Sequence, residues 1–383
     1  MRRSCLAAGF GILVAAFLSI ASQAAARPVL FVGHARDGVV SVLDGHSFKR
    51  LGTLDVTPDG KTPQDPAQAL VYPALVQANG VNYVQGLAAS PDGRILYVSR
   101  GFLGDVAAFE VATGKLLWRL QIGGFRADHL GLAPDGQRLF VSALTDNKVQ
   151  VIDTGTRSFA GEFPTGDWPH VIDFSPDGRY VYNGSLGNQL LPEDQEGKRQ
   201  LTVADAKTLE VVRTIPFDAG VRPFVLTGNG KRMYVQLSFF NGFQEINPLT
   251  GKTLRTKLLP LAGPGKDLAR ADYPNEAAHH GIAISGDGKT ICAAGTISNY
   301  VALVDRRTLK NRKIIRVGAE PAEAETSQDG RYCVVASRGD RRIFVISYKR
   351  RRVVKRISTP PRPQEMTDAD VPDAVLRAGG FLP

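Results

Sequence analysis

The residues of this 383-residue chain best suited to chemistry are its histidines, six in all. Neutral imidazole is a common metal ligand and a general acid or base near neutral pH. Four of the six, His129, His170, His279 and His280, stand at the start of apolar runs that each lead into an Asp-Gly-type turn. Counted back from those turns, the equivalent positions are Gln85, Asp128, His170, Arg222, His280, Ala322 and Gln364, with His129 one residue further on. Asp173, Glu323 and Glu325 follow within the same runs. Carboxylates beside imidazoles complete or support a metal site. The candidate metal ligands are His129, His170, His280 and Glu323, paired as His129 with His170 and as His279 or His280 with Glu323. A zinc ion needs its ligands within about 2.0–2.2 Å, so four residues spread round a ring do not share one ion. Two ligands hold a divalent metal weakly, which points to an occasional or substrate-bridged ion. A water-filled polar funnel is the alternative.

Other catalytic signatures are missing. The chain has no G-x-S-x-G elbow, no H-E-x-x-H, no C-x-x-C, no haem-attaching C-x-x-C-H and no phosphate-cradling G-x-x-x-x-G-K-[ST].

The elements that must position the histidines are repeats. A turn with a β-rich run after it recurs six times, beginning with Ser90-Pro91-Asp92-Gly93-Arg94-Ile95-Leu96-Tyr97-Val98. Later copies centre on Asp135-Gly136, Asp177-Gly178, Asn229-Gly230, Asp287-Gly288 and Asp329-Gly330. Such dipeptides supply the positive φ of tight hairpins. An alternating strand that ends in a polar residue recurs seven times, closing at Asp44, Glu110, Asp153, Asp205, Asn247, Asp305 and Ser347. Each unit is four strands, A to D. Seven units that bury their faces only against one another predict an all-β, seven-bladed β-propeller of four-stranded blades.

The spacing also predicts how the ring closes. From turn to strand end is 18 residues in five of six repeats, and 18 before Asp44 is Ala26. Blade 1 therefore begins at strand B, and Pro363 to Asp370 stands where its strand A is needed. The expected organisation is a signal peptide at 1–26, a propeller at 27–371 and a C-terminal tail at 372–383.

The Ser90–Ser99 core, S-P-D-G-R-x-L-Y-V-S, and turns such as Thr113-Gly114-Lys115 resemble the bacterial YVTN-type (YncE-like) repeat β-propellers. The resemblance spans 27–371 and implies the propeller fold. Related propellers serve as lactonases, haem-binding domains and quinoprotein subunits.

Excess length falls in three places, between Asp44 and Asp92, Asp177 and Asp205, and Asn247 and Asp287. All three are B–C or D–A connections and share one face of the disc, where a ligand is expected. Variants at Asn188, Phe239 or Tyr273 are expected to act there, with Phe239 and Phe240 read as capping the core.

Lys+Arg outnumber Asp+Glu by 47 to 37, a net charge of +10. Basic residues crowd two C–D turns, at Arg306, Arg307, Lys310, Arg312 and Lys313 and at Lys349, Arg350, Arg351, Arg352, Lys355 and Arg356. This rim could hold a polyanion, or it could block edge-to-edge strand pairing. Arg2 and Arg3, the apolar run Leu6–Ile20 and Ala24-Ala25-Ala26 read as a secretory signal cut before Arg27. The expected location is periplasmic or secreted. After cleavage Cys292 and Cys333 remain, and two buried thiols on neighbouring strands are expected in preference to a bridge.

The expected function is an exported, non-catalytic propeller that binds a small molecule or an envelope protein on the insertion face. The alternatives are a metal-assisted, lactonase-like hydrolase or lyase, and a cofactor-associated electron-transfer subunit. Both would use the His-rich funnel.

Overall fold

The computed structural model describes residues 25–383, so nearly all of the expected signal peptide lies outside the described residues. Seven four-stranded antiparallel sheets are arranged as the blades of a propeller. Strand A, the innermost, is Gly86–Ala89, Ala127–Leu132, Pro169–Phe174, Val221–Leu226, Ile282–Ile284 and Pro321–Thr326 in blades 2 to 7.

The repeat motif folds for a local reason. In Ser-x-Asp-Gly the serine Oγ donates to the aspartate (Ser90 to Asp92, 2.6 Å) and accepts the amide of Ile95 at 2.9 Å, which pins both ends of the turn. The glycines of these turns have φ between 66 and 72°, where a β-carbon would be strained. At every C–D turn the fourth residue past the strand end is left-handed too: Phe48, Gly114, Arg157, Leu209, Gly251, Leu309 and Arg351.

Each interface between neighbouring blades holds one apolar cluster, seven in all. The ring therefore has no dry seam left open. Strand A of blade 1 is Pro363–Pro372, paired antiparallel with Ala26–His34 from Ala26↔Pro372 to His34↔Pro363. The C-terminal strand closes the ring, as the spacing predicts.

The segment expected as a C-terminal tail, 372–383, packs against the ring from Asp373 onward. A helix at Asp373–Ala378 buries Val375 and Leu376, and Phe381 follows them into the cluster between blades 1 and 2. Nor are the cysteines free thiols. Cys292 of blade 6 and Cys333 of blade 7 form a disulfide across the blade boundary. Both lie on strand B, where facing blades bring the β-carbons close enough to bridge.

The first insertion contains a helix, Pro66–Asn79. Asp65 caps it by accepting the amide of Gln68, and Pro66 is tolerated at its first turn. Buried Gln68 donates to the carbonyls of Phe102 and Phe125 and clamps the helix over blades 2 and 3. No helix among the described residues is long and apolar enough to cross a membrane.

Candidate functional site

The seven aligned positions at the tops of the A strands surround the axis on the insertion face, and all are buried. Local backbone geometry sets them there. Trp168, Glu320 and Arg362, each two residues before its ring position, are left-handed with φ of 53, 51 and 56°. Such a conformation costs non-glycine residues energy and persists only where packing enforces it.

The axis carries two cavities of opposite character. On the insertion face a cavity of about 240 Å³ is lined by Arg126, Arg222, Arg338 and Arg362 with His170, His280, Gln85 and Gln364, and by no acidic side chain. All three insertions reach it, through Asn79, Gln189 and Asn275. On the turn face a channel of about 660 Å³ is lined by Asp173, Glu323, Glu325, Glu365 and His129, and by no lysine or arginine.

Between them lies a buried polar layer. His170 Nδ1 is 2.6 Å from Asp128 Oδ1, and Arg126 Nε is 2.8 Å from Asp128 Oδ2. Burial works against the charge on Asp128, but Arg126 and His170 hold its carboxyl well below the usual range. His129 packs edge-on against His170 with ring centroids 4.2 Å apart, and its Nδ1 is 3.3 Å from Glu365 Oε2. Burial opposes its protonation too, yet Glu365 lifts the imidazole to about 9. Burial, reinforced by that positive neighbour, lowers His170 to about 3. His170 is therefore neutral, its proton on Nδ1 facing Asp128, and its Nε2 has no partner.

His280 donates from Nδ1 to the Ala322 carbonyl at 2.9 Å, and burial keeps it neutral. Arg222 donates to Ser238 Oγ at 3.0 Å and reaches Glu276 at 3.4 Å. Burial lowers Arg222 and Arg338 to about 10, so both remain cations at neutral pH.

Of the predicted residues, the structure brings Gln85, His170, Arg222 and His280 together around the upper cavity, with Asp128 in the buried layer behind His170. Asp128, His129 and His170 each offer a ligand atom within 4.8 Å of the others. This trio is the arrangement that could hold a divalent metal, and it includes the expected His129–His170 pair. The other pairing is not formed, because His280 lines the upper cavity and Glu323 the lower channel. His279 does not reach the funnel either. Its ring turns outward to Asn241 Oδ1 (3.0 Å) and Tyr300 (3.3 Å).

Sequence reasoning missed Arg126, Arg338, Arg362 and Glu365. Glu365 follows Gln364 as His129 follows Asp128 and Glu323 follows Ala322, so the register alone could have found it. The three arginines lie on connections, where the repeat spacing carries no information.

Comparison with known proteins agrees with this architecture. The family described as "Lactonase, 7-bladed beta-propeller" matches residues 76–352. Among curated proteins, the uncharacterized protein YncE of Salmonella typhi is 22% identical over 222 residues, 57% of this chain and 53% of that one. Antigen Lp49 of Leptospira interrogans is 23% identical over 243 residues, 55% of this chain and 52% of that one. The chain thus spans about half the length of the curated relatives it matches. Among solved structures, a putative 6-phosphogluconolactonase from Bacteroides fragilis superposes with a TM-score of 0.66 at 16% identity, covering 90% of this chain and 98% of that one. A chain of Kuenenia stuttgartiensis hydrazine synthase gives 0.62 at 17% identity, covering 86% and 99%. At such identities the superpositions speak to fold alone.

Proposed function

This chain belongs to the seven-bladed β-propeller lactonase family, and from that premise we propose that it hydrolyses a small anionic lactone in the arginine-lined cavity. One observation carries the reading: a neutral His170, oriented by Asp128 and with Nε2 free, lies beside four arginines in a cavity without acids. Guanidinium groups recognise carboxylate or phosphate through paired hydrogen bonds. Arg222 and Arg338 would anchor the anionic group of the substrate.

An anionic substrate bound beside His170 supplies the counter-charge for an imidazolium that burial and His129 otherwise disfavour. Nε2 then takes a proton from water as the water oxygen bonds to the lactone carbonyl carbon. The oxyanion of the tetrahedral adduct is stabilised by the arginines. Collapse breaks the ring C–O bond, and the proton returns from Nε2 to the departing ring oxygen. One water is consumed and a hydroxy acid leaves. Asp128 keeps the imidazole in the reactive tautomer and stabilises the charge it gains. The finer YVTN-type assignment and an exported location belong to the same proposal, on the repeat core at Ser90–Ser99 and the N-terminal sequence.

A non-catalytic binding protein for the same anions is the second reading, favoured by the closure of all three insertions over so small a cavity. Hydrolysis of glucono-δ-lactone and of glucarolactone, followed at constant pH against the spontaneous rate, separates the two. Faster hydrolysis of the anionic lactone, abolished in His170→Asn, supports the enzyme. No acceleration, with calorimetric binding of glucarate that is lost in Arg222→Gln, establishes the binding protein instead.

A further inference from the structure

The positive charge of the chain is concentrated in one sector. Residues 306–356 hold 16 Lys+Arg against 5 Asp+Glu, a net of +11, while the rest of the chain holds 31 against 32. Two of those five acids, Glu323 and Glu325, line the axial channel, so the outer surface of blades 6 and 7 is more basic still. We propose that this surface docks the protein onto a bilayer rich in anionic phospholipid. The inference does not depend on the activity assigned to the upper cavity.

Geometry gathers the charge onto one face. The C–D turns that follow Asp305 and Ser347 both lie on the face opposite the insertions. The disulfide between Cys292 and Cys333 ties their two blades together. Beside the second of these turns is a cavity of about 710 Å³ lined by Lys349, Arg350 and Arg351 together with Arg312 and Arg331, and by the acids Asp287 and Asp329. Arg312 and Arg331 are neutralised by Asp305 and Asp329, each at 2.6 Å. Lys349, Arg350, Arg351 and Arg352 are exposed, and none of them forms an ion pair among the described residues.

Chemistry selects the partner. Twelve of the sixteen basic residues are arginine, the side chain matched to phosphate geometry. Val354 is exposed on the same sector and Leu249 and Leu254 on neighbouring blade 5, while the exposed large aromatics, Phe125 and Phe159, lie on blades 2 to 3. Basic groups interspersed with aliphatic ones suit a lipid headgroup region. Binding to single-stranded nucleic acid would call for aromatic platforms. The described chain also begins on this face, where Ala26 pairs with Pro372 beside the A–B turns. With the rim against a bilayer, the arginine cavity faces away from it, open to solutes.

Sedimentation of the full chain with vesicles tests the proposal. Comparing pure phosphatidylcholine with a mixture containing phosphatidylglycerol cancels any contribution from the N-terminal apolar run. Binding at low salt should be at least tenfold stronger on the anionic vesicles, and the excess should disappear at high salt. The variant Lys349→Gln/Arg350→Gln/Arg351→Gln/Arg352→Gln should lose most of the excess at unchanged melting temperature. Arg94→Gln/Lys115→Gln/Lys207→Gln, on the same face of blades 2 and 4, should keep it. Equal binding to both vesicles, an unaffected quadruple variant, or binding confined to RNA would each overturn the inference.

Discussion

The carboxylate of Asp128, from blade 3, lies 2.6 Å from Nδ1 of His170 in blade 4, so the pair that orients the reactive imidazole spans a blade boundary. Its alignment depends on how two blades pack, and neither blade holds both partners. Replacing Asp128 with Asn keeps the shape but lets the amide donate, which favours the tautomer with its proton on Nε2. Lactone hydrolysis should fall about 10²- to 10⁴-fold, the usual range for loss of general-base catalysis, with the KM for the anionic lactone little changed. Steady-state kinetics check this, and an equal loss in kcat and 1/KM would contradict the assigned role.

Arg222 and Arg338 should behave in the opposite way. Each is buried, and each faces the cavity where an anion would sit. Arg222→Gln or Arg338→Gln should weaken binding of a carboxylate ligand about ten- to a hundredfold, in line with roughly 1.5–3 kcal/mol for a charged hydrogen bond. Binding of a neutral lactone of the same shape should hardly change. Titration calorimetry with the two ligands distinguishes anchoring from general damage to the site.

The buried polar layer gives folding stability a maximum in pH. His129 is raised to about 9 from 6.5, so its contribution is complete below about pH 6.5 and is lost as pH rises through 9. Glu323, raised by burial to about 8, works in the same direction between about pH 4.5 and 8. His34, His170 and His279 are lowered to about 3, so their contribution is complete above about pH 6.5 and is lost as pH falls. Melting temperature should peak near pH 6–7 and decline on both sides. His129→Gln should flatten the alkaline limb above about pH 8, where Glu323 has already titrated in the fold.

Much of this arrangement was legible in the amino-acid order. Constant spacing from Asp-Gly turn to polar strand end marks the blades, and the shortfall before Asp44 points to Pro363–Asp370 as the closing strand. The same register places Asp128, His170, Arg222 and His280 on one ring, because equivalent positions in a closed array must surround one axis. What spacing does not encode is direction within the interior. His279 and His280 are neighbours, yet alternation sends the first outward to Tyr300 and the second toward the axis. The disulfide was hidden for a related reason. Cys292 and Cys333 occupy nearly matching places in successive repeats, and whether such thiols meet depends on the angle between blades. Arg126, Arg338 and Arg362 were invisible because connections bring them to the cavity.

The disulfide should stabilise the junction of blades 6 and 7. It closes a segment with a sequence separation of 41, for which loop-closure arguments give about 3–4 kcal/mol. Cys292→Ala/Cys333→Ala should fold and keep its ligand binding, since neither residue approaches the upper cavity. Its melting temperature should fall by several degrees, and a reducing agent should lower the unreplaced protein to about the same value. Calorimetry on both forms checks the equivalence, and insensitivity of the unreplaced protein to reduction would show that the bridge carries no stability.

Closure of the ring predicts two graded truncations. Ending the chain after Pro372 removes the helix and with it Val375, Leu376 and Phe381 from the cluster between blades 1 and 2. At roughly 1.5–3 kcal/mol per fully buried side chain, the loss is about 5–9 kcal/mol, within the 5–15 kcal/mol typical of a whole domain. Such a chain should melt far lower yet keep its blades. Ending after Arg362 also removes Met366 and Val371 and strips Ala26–His34 of its inner partner. Backbone groups along that strand would then lose their hydrogen bonds at the axis, where each unpaired group is costly. Together these losses exceed what a domain can bear, so this chain should show no cooperative melt and should aggregate through its open edge. Melting curves for the two truncations and the intact chain decide the matter. A cooperative transition at the intact temperature after removal of 363–383 would mean that blade 1 does not need the C-terminal strand.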